Sequence, residues 1–407
     1  MKLDKNLIYI GDNLKTMKSA EFQFFYGKIN FIYIDPPYNT RNTFSYNDDN
    51  DEWSNDIKER LLVAKECLSE EGTIFISIDD NELSSLLYIC YKVFGKNNYV
   101  GLFITKQAQR SNAKHINTIH EYVICFAKNK KKLPKFYINR LENPSENTRI
   151  LYIINRIKSL NKTERKKAEK ELKQLIDKYV IETGQTWIRN FSNISDDGRI
   201  YFAKDLSTPG KPARLDIDEI GLHLDPLKTR GWSSKEKILS LHSQNRLAFK
   251  NGRPYAIEYL EEATDNVSSI LDFYSRQGTN NLKKLGLDGL FDTPKPVELI
   301  KFLIRCSQHQ DSIILDFYAG SGTTAQSVYE INKEDKMNHK YILIQLDESM
   351  NEKTEAYEIM SKLGYKEPKV SEAMIHRINT YLKEEKIKVD YEVKEKIYDW
   401  IIEKRKI

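Results

Sequence analysis

The sequence predicts an α/β fold: a mostly parallel, doubly wound sheet, interrupted by an inserted lobe and followed by a charged helical tail. Three observations predict it. Short apolar runs alternate with amphipathic stretches through residues 1–130, the alternation breaks over a turn-rich middle, and it resumes from residue 291. Such alternation marks βαβ units laid into a parallel sheet. The expected organisation is a first half-domain at 1–130, an inserted region at 131–290, a second half-domain at 291–350 and a tail at 351–407.

Each element has its own signal. NLIYIG (6–11) and INFIYID (29–35) are short apolar runs that read as strands. DIKERLLVAKECLSEEG (56–72) is amphipathic and is expected to stop as a helix on Gly72. TIFISIDD (73–80) is a strand, NELSSLLYICYKVFG (81–95) a helix ending on Gly95, and HEYVICFAKN (120–129) a strand. Residues 155–178 are highly charged, with Leu160, Ala168, Leu172, Leu175 and Ile176 near helical spacing. They predict a solvated amphipathic helix, with a basic face on DNA as the sharper alternative. Turn signals then separate short strands through 184–260. TPKPVELIKFLIRCSQ (293–308) is a helix opened by prolines, and DSIILDFYAGSGTTAQSVYEIN (311–332) is strand, glycine turn and helix. KYILIQLDE (340–348) is the next strand, and 391–407 is expected to be a terminal helix.

Composition excludes several classes. In 407 residues, 40% are hydrophobic and 30% charged, and nothing approaches the ~20 consecutive apolar residues of a membrane span. The amino-terminal residues lack the apolar core of a signal peptide. A net charge of +5 permits a nucleic-acid partner without demanding one. Four scattered cysteines form no C-x-x-C pair and no ligand set, so no metal is expected and reduced thiols in a cytoplasmic protein are.

Two stretches carry chemistry. FIYIDPPYNT (31–40) runs an apolar strand into Asp35, Pro36, Pro37 and Tyr38. Proline has no N–H and a fixed φ, so the strand must stop there, leaving Asp35 at its carboxyl end beside a stiff turn. Open α/β sheets bind ligands at that end, although a strand exit closed by a turn reads the same way. ILDFYAGSGTTA (314–325) sets Gly320 and Gly322 between a strand and a helix, where a tight turn meets a helix amino terminus. The spacing is neither a complete G-x-G-x-x-G nor a phosphate-binding loop with its lysine. A nucleoside-type ligand fits, and an acidic group after the next strand, at 345–348, is where a ribose diol is commonly held.

Together, DPPY ending one strand and DFYAGSGTT ending another resemble the amino-methylating DNA methyltransferases. DPPY first and the glycine motif late resembles their β-class, permuted order, with a recognition lobe between the halves. YIGDNLKTM (9–17), GTIFISIDDNE (72–82), HEYVICFAKN and DTPKPVELI (292–300) extend the likeness. ISIDDNE, RGWSS (230–234) and PKPVELIKFLI resemble modification subunits of type III restriction systems.

The resemblance implies a Rossmann-like methyltransferase that uses S-adenosylmethionine on N6 of a flipped-out adenine in double-stranded DNA. It implies that Asp35 and the Pro36 carbonyl accept the amine hydrogens, that Pro37 stiffens the turn, and that Tyr38 stacks on the base. For the cofactor it implies Phe317, Tyr318, Gly320 and Gly322 along the methionine and adenosine path. Thr293, Lys295 and Pro296 would sit at the carboxylate end, with Lys295 as countercharge. Asp12 would face the cofactor's adenine amine. Asn13, Asp316 and Thr323 belong to the same set, and Gln345 or Asp347 would hold the ribose. Asn39, Lys211, Arg214 and Arg230 are the candidate DNA contacts. A homodimer and a separate restriction subunit are the further partners implied. The alternatives are methylation of cytosine N4 or of an RNA adenine, or a catalytically silent DNA-specificity subunit.

Overall fold

The computed structural model describes residues 3–39, 52–107, 115–142, 144–160 and 165–395. The chain divides into two compact units, Met1–Tyr137 with Asn266–Ile407, and Ile138–Asp265.

The first unit is built on a nine-stranded sheet. Its strands are β1 (Asn6–Ile10), β2 (Ile29–Ile34), β3 (Leu68–Ile78), β4 (Tyr99–Lys106), β5 (His120–Ala127), β6 (Ile270–Tyr274), β7 (Ile313–Asp316), β8 (Lys340–Gln345) and β9 (Tyr391–Glu395). Their spatial order is β6-β4-β5-β3-β2-β7-β8-β1-β9. All neighbours pair in parallel except β5, which runs antiparallel to both β3 and β4. The central strands are Ile- and Phe-rich and buried along their lengths, as strands covered on both faces must be. Between β2 and β7 the chain changes its direction of travel across the sheet. At such a switch point the loops leaving two neighbouring strands diverge and open a crevice.

Helices α1 (Asn13–Lys18), α2 (Trp53–Cys67) and α3 (Leu83–Phe94) belong to the first half. The second unit holds α4 (Pro144–Ser159), α5 (Arg165–Thr183) and α6 (Lys235–Ser243). In the remainder of the first unit come α7 (Arg276–Lys284), α8 (Val297–Cys306), α9 (Thr323–Asp335), α10 (Glu355–Lys362) and α11 (Val370–Glu384).

Several expectations are corrected. The helix expected to end on Gly72 ends at Cys67, and Gly72 lies inside β3. A Cβ there would come within 2.8 Å of the Ile29 carbonyl oxygen, at a register shift between Ile29 and Phe31. This glycine allows a close strand approach at a bulge and does not end a helix. The second unit is narrower than 131–290: residues 266–290 supply β6 and α7 to the first unit. Residues 155–178 fall on two helices. Ile150, Ile153 and Ile157 of α4 share one buried cluster with Ala168, Leu172, Ile176 and Tyr179 of α5, so the apolar faces cover each other. The stretch 391–407 begins as β9, parallel to β1, and 396–407 lie outside the described residues. Asp390 sets that strand by accepting from the Asn6 side chain at 3.0 Å on both carboxylate oxygens.

Candidate active site

Asp35 leaves β2 on its carboxyl side and enters a cluster of charges. Lys295 Nζ lies 3.2 Å from Asp35 Oδ1 and donates to Glu121 Oε2 at 2.9 Å and to the Tyr38 hydroxyl at 2.7 Å. Tyr38 in turn donates to Asp35 Oδ1 at 2.8 Å. Glu121 comes from β5, where the Gln107 amide also donates to it. Burial pushes the Asp35 carboxyl up, Lys295 draws it back down, and Glu121 pushes it up again. Burial works against the Lys295 charge too, but Asp35 and Glu121 outweigh it and hold the ammonium firmly protonated. The turn itself is braced, because Trp53 Nε1 donates to the Pro37 carbonyl at 2.7 Å. Asn39 takes a left-handed φ of 57°, and its amide donates to Glu82 Oε1 at 3.0 Å. The loop that follows lies outside the described residues.

Across the crevice, the turn after β7 is held by its own polar groups. Asp316 Oδ2 accepts from the Thr324 hydroxyl at 2.6 Å and Oδ1 from the Tyr318 N–H at 3.1 Å. Burial raises the Asp316 carboxyl to about 7 despite both bonds. The Gly320 N–H donates to Gln345 Oε1 at 2.8 Å, so the end of β8 ties down the glycine turn. Gly322 answers a different demand. With φ at +73°, a Cβ there would stand 3.0 Å from Met374 Cγ and 3.2 Å from Ile378, both on α11. Its smallness lets α11 close against α9.

These two ends line one cleft of about 130 Å³, open at its mouth. Asp35, Pro37, Thr293, Lys295, Asp316, Tyr318, Gly320, Thr323 and Gln345 of the expected residues line it. Other expected residues do not. Phe317 is 1% exposed and packs into the core, while its carbonyl accepts from Asn13 at 2.6 Å. Asp12 caps α1 through the Lys15 N–H at 2.8 Å, and Arg60 lies 3.4 Å from it. Arg60 also donates to Asn13 at 2.5 Å. Pro296 precedes α8 as its cap. Asp347 turns away to Lys369 at 2.9 Å and the Ser371 hydroxyl at 3.1 Å, and Glu348 lines the cleft instead. Tyr38 is bonded to Asp35 and is not part of the lining, so the hydroxyl rather than an open ring face defines its present position.

Sequence reasoning missed Glu121, Gly278 and Arg377, and did not pick Glu348 out of the acidic stretch at 345–348. Gly278, on α7, has the least space of any glycine: a Cβ would fall 1.7 Å from the Pro294 carbonyl oxygen. It lets α7 press against the segment that carries Lys295. Nothing local marks these positions. Glu121 alone had a cue, as a carboxylate inside an otherwise apolar strand.

In the second unit, Ser207–Thr208 pairs with Gly231–Trp232 and closes the excursion that carries Lys211, Arg214 and Arg230. The Lys211 carbonyl oxygen lies 3.2 Å from where a Gly231 Cβ would be, which sets Lys211 beside the returning strand. Arg214 Nε donates to both Asp216 oxygens at 3.0 Å, and Arg230 donates to the Ser207 carbonyl at 3.1 Å. All three are exposed. Among the described residues no cluster of His, Cys, Asp and Glu could hold a metal ion. No helix there is long and apolar enough to cross a membrane.

Comparison with known proteins completes the picture. The DNA methylase model of the N6/N4 methyltransferases matches residues 29–358. The Mod subunit of the type III restriction-modification enzyme EcoP15I from Escherichia coli is 31% identical over 404 residues, 87% of this chain and 60% of that protein. The EcoPI Mod subunit of Escherichia phage P1 is 31% identical over 90% of this chain and 60% of its own length. The type II methyltransferase M.KpnI of Klebsiella pneumoniae is 27% identical over 91% and 86% of the two chains. The chain thus spans about 60% of the length of the Mod subunits it matches. With the DPPY turn and the glycine turn facing one cleft, and the family model covering most of its length, this chain belongs to the N6/N4 DNA methylase family.

Proposed function

We propose that this chain is a site-specific DNA methyltransferase of a restriction-modification system, transferring a methyl group from S-adenosylmethionine to N6 of a flipped-out adenine. The observation that carries the reading is a juxtaposition. Asp35 ends β2, the glycine turn ends its neighbour β7, and both line the same cleft.

The lining suits the cofactor's chemistry. The cleft is concave and lined by a few convergent polar groups, as small-molecule sites are. Asp316 and Glu348 offer negative charge to a cation, and Ser321 and Thr323 offer hydroxyls at the start of α9. Bound S-adenosylmethionine supplies the methyl group as a carbon activated by a sulfonium. Everything else falls to the protein. An exocyclic amine is a weak nucleophile, because its lone pair is delocalised into the ring. Asp35 and the Pro36 carbonyl accept its two hydrogens and localise the lone pair toward the methyl carbon. As the N–C bond forms and the S–C bond breaks, the amine sheds one proton toward the Asp35 side. The Trp53 bond to the Pro37 carbonyl keeps the turn in one orientation. The base must leave the duplex to reach this geometry. Lys211 and Arg230 are offered as phosphate contacts. Pairing with a separate restriction subunit follows the Mod relatives and is tested by co-purification.

The decisive experiment is methylation-aware sequencing of DNA from a host expressing the chain, beside an Asp35→Ala control. N6-methyladenine at one short motif, absent from the control, is the expected result. N4-methylcytosine would move the reading to the other branch of the family. Unmodified DNA from soluble, cofactor-binding protein would refute it.

A further inference from the structure

A fully buried guanidinium lies beneath the floor of the cleft. Arg377, on α11, is 1% exposed. Its Nη1 donates to the Ser321 carbonyl at 3.0 Å, to Ser321 Oγ at 2.7 Å and to Thr323 Oγ1 at 2.8 Å, and its Nη2 donates to Gln326 Oε1 at 3.0 Å. Every one of these acceptors is neutral, and no carboxylate of the described residues lies within 4 Å. Its Nε is buried without a partner. Burial draws the guanidinium's pKa down to about 9, with Glu330 only partly opposing. Buried charges are normally paired. Among the described residues this one has no ion-pair partner, and it lies outside the span that the family model matches.

The two hydroxyls it grips both line the cleft. A hydroxyl that accepts from a guanidinium keeps its own proton to donate. Thr323 gives its proton to the Lys295 carbonyl at 3.2 Å. Ser321 donates to Thr323 Oγ1 at 3.0 Å, and rotation of its hydroxyl would turn that proton into the cleft. The amino terminus of α9, which starts at Thr323, adds positive potential at the same point. Lys295 was the expected countercharge here, but its ammonium is engaged by Asp35, Glu121 and Tyr38.

We infer that Arg377 is the positioning residue for the anionic end of the cofactor, the carboxylate of the methionyl half, acting through the Ser321 hydroxyl. This rests on the methyl-donor reading above. A carboxylate seated over Ser321 supplies the negative charge that the buried guanidinium lacks, and the Ser321 hydroxyl transmits the interaction. The C-terminal segment thereby completes a site whose other parts lie in the family span.

The test measures affinities of the full chain, by titration calorimetry, for S-adenosylmethionine and for its decarboxylated analogue. The analogue keeps the nucleoside, sulfonium and amine and lacks only the carboxylate. Wild type should bind the complete cofactor at least tenfold more tightly. Arg377→Gln and Ser321→Ala should each lose most of that preference while holding the analogue within about twofold, and Arg377→Lys should restore part of it. Ser321→Ala leaves the buried guanidinium in place and decides the matter if Arg377→Gln does not fold. Equal losses for both ligands, an unchanged preference in Ser321→Ala, or wild type binding both alike would overturn the inference alone. Wild type binding neither ligand would take the methyl-donor reading down with it.

Discussion

Lys295 Nζ stands 3.2 Å from Asp35 Oδ1, on a segment 260 residues along the chain from the DPPY turn, with Glu121 on its other side. The lysine holds two carboxylates that would otherwise repel each other. Asp35 must be ionised to accept from an amine, so the charges around it set the pH range in which it works.

Opposite substitutions should therefore move the acid limb of the rate profile in opposite directions. Lys295→Met removes the group that lowers Asp35, so the limb should move to higher pH. Methylation near neutrality should fall about ten- to a thousandfold and recover partly in alkali. Glu121→Gln removes a group that raises Asp35, so the limb should move to lower pH. Single-turnover rates across pH 5 to 9 check both. Shifts of the same sign would break the scheme.

Asp316 gives a second pH dependence. Its folded pKa, about 7, lies above its ordinary 3.8, so the native state keeps a proton that the unfolded chain has released. The sign follows: stability is fully present below about 4 and is lost as pH rises toward 7, at up to about 1.4 kcal/mol per pH unit. A cationic cofactor favours the ionised form. Affinity for S-adenosylmethionine should therefore climb by up to tenfold per unit below pH 7 and level off above it. Asp316→Asn should flatten the curve, and the uncharged thioether product should show little of it in either protein.

Two glycines make predictions about packing. Gly322→Ala combines a left-handed φ with overlap on Met374 and Ile378, and should lower stability by about 1–3 kcal/mol. Gly320→Ala shares only the φ, since the nearest atom to an added Cβ is the Tyr318 carbonyl oxygen at 3.7 Å, and should lower it less. Gly278→Ala meets the Pro294 carbonyl at 1.7 Å and must displace the backbone beside Lys295. It should reduce methylation even where the protein stays folded. Thermal melts and methylation assays together separate the three.

Exposed cations of the second unit should act on DNA affinity alone. Lys211→Ala and Arg230→Ala should each weaken binding uniformly across sequences and reduce the salt slope by about one ion. Arg214→Ala should do less, because Asp216 already holds its guanidinium. Filter binding at several salt concentrations checks the slopes, and loss at one recognition sequence only would instead assign base reading.

Much of the site was legible because its chemistry is local and rigid. Pro36 and Pro37 cannot continue a strand wherever they occur, and Gly320 needs its left-handed φ whatever surrounds it. Gln345 lines the cleft, and its amide oxygen accepts from the Gly320 N–H and braces the glycine turn. The choice between Asp347 and Glu348 was not legible. Both are acidic and adjacent, and only the Lys369 and Ser371 partners on the far side turn Asp347 away.

By itself, then, the sequence determined the strand–helix alternation of the two half-domains, the two turns that end β2 and β7, and the residue types able to orient an amine. These depend on backbone restrictions and periodic burial, which act over a few residues. The tertiary structure decided which charges meet. It brought Glu121 and Lys295 to Asp35, set Arg377 under Ser321, pressed Gly278 onto Pro294 and made β9 from residues that read as a helix. Those outcomes depend on distances between segments far apart in the chain. Electrostatic and steric energies turn on a few ångströms, and only the folded sheet sets that spacing.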